Sequence, residues 1–315
     1  MADQDEPDRT RATPVSSAAL DTLLGAVAAV IPGDVPGLGL VDRAVAAQHA
    51  RRFKLDVSFA LPLRTGVSSG IRFSVNDKGE PDAFRARLAG ILPELGVPPE
   101  RLAALLAVAA PGRVQTTAAV KFRPGSARPD RVTVYLEELH RDPDAEDLAS
   151  GFFRAAGLDG APAPIPGTRR AAVSADLAGG EVVGVRDYGM VETDDASVAL
   201  PGPLSRWRDA LPRHAFHGTR RFLVARRFDL AGRPAGDKLL WMLESHRPEA
   251  AAAAWRAVDE RTADVVPGDP VATALALLRA SWTHAPGCFL HPDLVSLDVD
   301  RQGRADLLLV YVSVR

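Results

Sequence analysis

The chain has only three tyrosines, Tyr135, Tyr188 and Tyr311. Each falls on the second strand-like run of a hairpin pattern, and Trp241 holds the matching place in another. The steps from 135 to 188 and from 188 to 241 are both 53 residues. Strands favour Tyr and Trp in any case, but these tyrosines avoid every helical stretch. Basic residues share the face of the rings: Arg72 and Arg186 on second strands, Lys121 and Arg227 on first strands. A single arginine there is an ordinary surface charge or the partner of an acid. Several cations beside several ring faces have a narrower use. Cations hold a diphosphate through charge-assisted hydrogen bonds. Ring faces stabilise a nearby carbocation by roughly 0.5–2 kcal/mol each.

Such groups converge only if the elements carrying them repeat, and they do. Alternating apolar and polar residues mark paired runs at 53–75, 114–139, 169–190, 220–244 and 290–314. Each pair surrounds a turn, in most cases with glycine or proline, which is a hairpin signal. Helical periodicity fills 17–31, 41–51, 82–95, 99–109, 144–157, 201–211, 248–261 and 268–282. The reading is α+β, with ten antiparallel strands and an outer layer of helices. One face of the second strands reads Ile71/Phe73/Val75, Val132/Val134/Leu136, Val183/Val185, Leu240/Met242 and Leu308/Val310/Val312. The opposite face reads Arg72/Ser74, Arg131/Thr133/Tyr135, Gly184/Arg186/Tyr188, Leu239/Trp241 and Leu309/Tyr311. The apolar face is the one on which helices pack. Two arrangements remain open from alternation alone. One is a closed barrel with a polar lumen and no edges; the other is an open sheet with one solvated face.

Composition narrows the classes. The chain has 315 residues, 46% of them apolar and 25% charged, ordinary for a globular protein. Net charge is −2, from 38 basic and 40 acidic residues. No global field recruits nucleic acid or a membrane surface. No apolar run is long enough to span a bilayer. The start MADQDEPDRTRATP lacks the basic end and apolar run of a signal peptide. The single cysteine, Cys288, excludes an internal disulfide and a cysteine-based zinc site. These features predict a cytoplasmic protein: a disordered tail at 1–16, then one domain over 17–315. Several signals carry little. Gly66-Val67-Ser68-Ser69-Gly70 fits the nucleophile-elbow string but lies between two strands rather than before a helix. The acidic string 142–147 and Asp194-Asp195 lack metal-ligand spacing, and the histidines form no pair suited to a metal. Phosphate-loop and dinucleotide fingerprints are absent.

The order of these motifs resembles the aromatic prenyltransferases of the ABBA, or prenyltransferase-barrel, fold, closest to the tryptophan dimethylallyltransferase family. The resemblance covers roughly 50–315. The family's first hairpin carries a Glu-x-Ser element whose acid orients an indole N–H; here it is Asp56-Val57-Ser58. Its diphosphate-binding arginine matches Arg72-Phe73-Ser74. The second hairpin's Lys-x-Tyr is Thr133-Val134-Tyr135, without the lysine. The third's Arg-x-Lys-x-Tyr is Gly184-Val185-Arg186-Asp187-Tyr188, one cation short. The fourth has a polar residue two before a Tyr, against Leu239-Leu240-Trp241. The fifth keeps Tyr311.

The resemblance implies a ten-stranded antiparallel barrel ringed by helices. It also implies a transferase of secondary metabolism that moves an allylic group, dimethylallyl by family, from its diphosphate to an electron-rich ring such as indole. The implied roles are Asp56 as the catalytic acceptor-positioning acid and Arg72, Lys121, Arg186 and Arg227 as the diphosphate cradle. Tyr135, Tyr188, Trp241 and Tyr311 form the carbocation shield. The expected partners are a small aromatic molecule and a prenyl diphosphate, with no cofactor and no obligatory magnesium, in a monomer or homodimer. The thinned cation set keeps a second function open, a barrel that has lost diphosphate binding and binds, cyclises or rearranges a natural product. A purely structural sheet protein is a third.

Overall fold

A computed structural model describes residues 17–31, 53–64, 66–77, 81–109, 112–126, 128–192, 221–242, most of 251–259, 268–284 and 290–314. Ten strands form the centre. They are β1 (Phe53–Pro62), β2 (Gly70–Asp77), β3 (Gln115–Phe122), β4 (Pro129–Glu137), β5 (Arg169–Ala178), β6 (Glu181–Glu192), β7 (Arg221–Phe228), β8 (Pro234–Met242), β9 (Leu290–Val299) and β10 (Ala305–Val314). Each pairs antiparallel with its neighbour in sequence, and β1 pairs with β10, so the sheet closes. Closure settles the alternative that alternation left open, because a barrel has no free edge.

The helices are α1 (Ser17–Ala28), α2 (Pro81–Ile91), α3 (Pro99–Leu106), α4 (Ala145–Ala155) and α5 (Pro270–His284). Residues 251–252, 254–256 and 258–259 are also helical. The expected helices at 41–51 and 201–211, and the tail at 1–16, lie outside the described residues. Helix α4 illustrates why these segments fold as they do. Leu148, Ala149, Phe152 and Phe153 form one buried stripe, with Glu146, Asp147 and Arg154 on the exposed side. That spacing is the helical period.

The core lies between helices and barrel wall. Leu23 and Val27 of α1, Leu102 and Leu105 of α3, Phe152 and Phe153 of α4, and Leu275 and Leu278 of α5 join one cluster. From the wall it takes Val57, Phe73, Val120, Val134, Val173, Val185 and Val310. The apolar face of the sheet is therefore the outer face, as the pattern requires.

Two hairpin turns repeat one design. Asp229 to Arg233 and Asp300 to Arg304 both read Asp-x-x-Gly-Arg. In each, the aspartate carboxylate accepts from the arginine's backbone N–H, at 2.9 and 2.8 Å, and from its Nε, also at 2.9 and 2.8 Å. Gly232 and Gly303 take φ of 73°, the left-handed conformation that favours glycine. Across the closure seam, Arg64 pairs with Asp306 at 2.5 Å and Asp300 at 3.4 Å.

Candidate active site

With the outer face fixed, the inward side chains follow from strand parity. They include Asp56 and Ser58 (β1), Arg72 and Ser74 (β2), Thr117, Ala119 and Lys121 (β3), and Arg131, Thr133 and Tyr135 (β4). Ala172, Ser174 and Asp176 follow on β5, Gly184, Arg186 and Tyr188 on β6, and Leu223, Ala225 and Arg227 on β7. Lys238 and Leu240 come from β8, Leu294, Ser296 and Asp298 from β9, and Leu309 and Tyr311 from β10.

The lumen joins Arg72, Tyr135 and Tyr188. The Arg72 guanidinium donates to the Tyr135 hydroxyl at 2.9 Å. The Tyr135 and Tyr188 rings stand 6.1 Å apart at 52°, within the range of favourable ring pairs. Tyr311 stands in register with Ser58, which is itself opposite Arg72. The Lys238 ammonium donates to the Tyr311 hydroxyl at 3.3 Å and lies 5.9 Å from its ring centre. The two tyrosines differ in electrostatics. Burial pushes the Tyr188 phenol well up. Burial also acts on Tyr311, but Lys238 and Arg72 override it and pull that phenol down.

Trp241 is a correction. It lies on the outer face with Leu239, among Phe222, Val224, Leu297 and Val299. Leu240 points inward, clustered with Tyr135 and Tyr188. The run Leu239-Leu240-Trp241-Met242 is apolar on both parities, so alternation could not orient it, and the 53-residue step favoured the wrong face. The residue that decides the parity is Lys238, buried in the lumen beside Asp298 at 3.1 Å. A lysine is the less tolerable of the two under helices.

The four expected cations all reach the lumen. Arg186 grips Asp176 with both nitrogens, at 2.8 and 2.7 Å. Arg227 is half-buried and donates to the Ala235 carbonyl at 2.9 Å; burial and nearby Arg186 lower its pKa. Lys121 stands in register between Arg72 and Arg131. Burial, then repulsion from those guanidiniums, pushes its ammonium down to about 8. Asp56 is half-buried on the same face, opposite Ser74 and Ser313.

Sequence reasoning passed over Asp176, Lys238 and Asp298 as site residues, and left Arg131 as a face residue only. Asp176 alternates cleanly with Val173, Ala175 and Leu177, so parity alone could have placed it inward. It accepts from Arg131 at 3.1 Å and Thr133 at 2.7 Å as well as from Arg186. Burial works against its charge, yet Arg186, Arg131 and Arg72 hold the carboxyl well below the usual range. The buried hydroxyls of Ser58 and Ser174 find no hydrogen-bond partner among the described residues, leaving donors and acceptors aimed at lumen contents. Among the described residues there is no cluster of three or more His, Cys, Asp or Glu suited to a metal. No described helix is long and apolar enough to cross a membrane.

This wall can grip an anion and present ring faces beside it. No family model matches the sequence, and no curated protein does. Solved structures do. The 6-dimethylallyltryptophan synthase of Micromonospora olivasterospora, solved with DMASPP and Trp, is 19% identical over 82% of this chain and 81% of that one, with a TM-score of 0.55. The 5-dimethylallyltryptophan synthase of Streptomyces coelicolor is 17% identical over 95% and 92%, with a TM-score of 0.59. A further 6-dimethylallyl tryptophan synthase is 18% identical over 95% and 96%, with a TM-score of 0.62. The chain thus has the barrel fold of these synthases, the ABBA fold that its hairpin order resembles.

Proposed function

We propose that the protein is an aromatic prenyltransferase, transferring an allylic group of the dimethylallyl class from its diphosphate to an electron-rich ring, indole being the leading candidate. The observation that carries this reading is the contact chain Arg72–Tyr135–Tyr188 inside a closed barrel, with Lys121, Arg186, Arg227 and Lys238 on the same wall.

The cations bind the diphosphate and stabilise the charge that grows on it as the allylic C–O bond breaks. The bonding electron pair leaves with the diphosphate. The allyl cation is flanked by Tyr135, Tyr188 and Tyr311, whose faces stabilise it and keep water away. The acceptor ring attacks, a C–C bond forms, and the ring proton passes to a base. Asp56 positions the acceptor by hydrogen bonding. Its side chain is one methylene shorter than the glutamate of the resembled family, so it favours an acceptor seated nearer the wall. Charge on the leaving group is met by side chains, and no metal or organic cofactor is assigned a step.

The test is incubation with dimethylallyl diphosphate and an indole panel, read by mass spectrometry, with diphosphate binding measured by calorimetry. A product heavier than the acceptor by one prenyl group, lost in Arg72→Ala, is expected. No product and no diphosphate binding would overturn the reading. One observation favours the second reading, a lumen that binds or rearranges a natural product without a diphosphate. Asp176 already engages Arg131 and Arg186. A binder of that kind would keep its ligand affinity in Arg72→Ala.

A further inference from the structure

We propose that Asp176 is a built-in competitor of the diphosphate, a positioning residue that holds Arg131 and Arg186 and thereby sets how strongly the lumen binds polyanions. The proposal rests on the transferase reading and adds a determinant of donor affinity.

The geometry is specific. Asp176 faces the lumen from β5, directly opposite Thr133 on one side and Gly184 on the other. It is 1% exposed. Both nitrogens of Arg186, one of Arg131 and the Thr133 hydroxyl donate to its two oxygens. That is the donor-rich, positively charged environment a phosphate oxygen would need. An incoming polyanion therefore meets two arginines already engaged by a carboxylate that offsets one of their two charges, and its own charge is repelled by that carboxylate.

The cations beside Asp176 point the same way. Lys121 makes no ion pair among the described residues, and its ammonium is depressed by the guanidiniums around it. Around Lys121 the positive charge is in surplus, while at Asp176 one carboxylate offsets one of the two guanidinium charges bonded to it. The balance cannot readily be altered from β6. A side chain at Gly184 would place its Cβ 3.0 Å from the Phe228 carbonyl, so a larger residue there needs the β7 backbone to give by a few tenths of an ångström.

The test is calorimetric titration with inorganic pyrophosphate of wild type, Asp176→Asn and Asp176→Ser. Asp176→Asn removes the competing charge at nearly unchanged shape. Asp176→Ser removes the same charge with a smaller side chain. Each is expected to tighten pyrophosphate binding at least ten-fold and to steepen its dependence on salt. If Asp176→Asn fails to fold, Asp176→Ser alone decides. A carboxylate that merely staples strands would leave the affinity of the folded variants unchanged. Wild-type binding with no tightening in either variant overturns the proposal and leaves the transferase reading standing. No binding by any of the three proteins overturns both. Binding that appears only in the variants supports the proposal.

Discussion

Arg186 and Asp187 are neighbours on β6 that point to opposite faces, and each belongs to a two-pronged arginine–aspartate pair. Arg186 turns inward to Asp176; Asp187 turns outward to Arg170, at 2.8 and 3.1 Å. Asp176 and Asp187 are equally buried, at 1% exposure. Their carboxyls nevertheless move apart. Burial raises Asp187, and Arg170 only partly offsets it. At Asp176 burial is overridden by Arg186, Arg131 and Arg72. The outer pair is enclosed by Phe153 of α4, whose ring lies 5.9 Å from the Arg170 guanidinium, with Glu146 and the Pro162 carbonyl completing its bonds. It fastens a helix to the wall. The inner pair stands in surplus positive charge. Equal burial therefore does not give equal electrostatics; the number of cations within reach separates the outer fastening from the surface proposed to bind diphosphate.

The largest expected effect lies on the outer pair. Arg170→Ala leaves a buried carboxylate uncompensated and should cost about 3–5 kcal/mol of stability, read as a drop in the denaturant midpoint. Pyrophosphate affinity of the folded fraction should not change; if it does, the two faces are not independent. Arg72→Ala should do the reverse. Among the described residues its hydrogen bond goes to the Tyr135 hydroxyl, so stability changes little. Loss of a charged hydrogen-bond donor should weaken diphosphate binding by about 1.5–3 kcal/mol, measured by calorimetry. The rings give a smaller contrast. Tyr188→Leu should lower kcat by about 0.5–2 kcal/mol of cation stabilisation. Trp241→Phe, on the outer face, should reduce the melting temperature and leave kcat as it was.

The smallest effect concerns pH. Lys121 carries its proton below about 8 and loses it as pH rises through that value. A bound anion favours the charged form, so binding takes up a proton at higher pH. Pyrophosphate affinity should then fall above pH 8, by at most about ten-fold per unit for one proton. Lys121→Arg should flatten that fall in the same titration.

Much of this was legible in the sequence, for identifiable reasons. The five hairpins were readable because apolar and polar residues alternate wherever the outer face packs on helices and the inner face is polar, as in β2, β4 and β10. Three tyrosines and four cations were placed inward on that parity alone. Legibility failed in β8, where both faces are apolar and Trp241 was assigned to the lumen. It was also incomplete at Asp176. Strand parity could have put that carboxylate inward, but its three donors come from β4 and β6, and only the register brings them together. Closure itself was not readable from alternation, since an open sheet and a barrel carry the same pattern.

The seam between β1 and β10 has a consequence for how the molecule forms. Every other strand pairing joins neighbours in the chain, whereas this one joins residues about 250 positions apart. Local hairpins form quickly and distant contacts slowly, because the intervening loop must first be ordered. The cylinder should therefore assemble as a curling ribbon whose two margins meet last. Until they meet there is no interior, and Tyr311, carried on the final strand, completes the chamber in the same event that seals it.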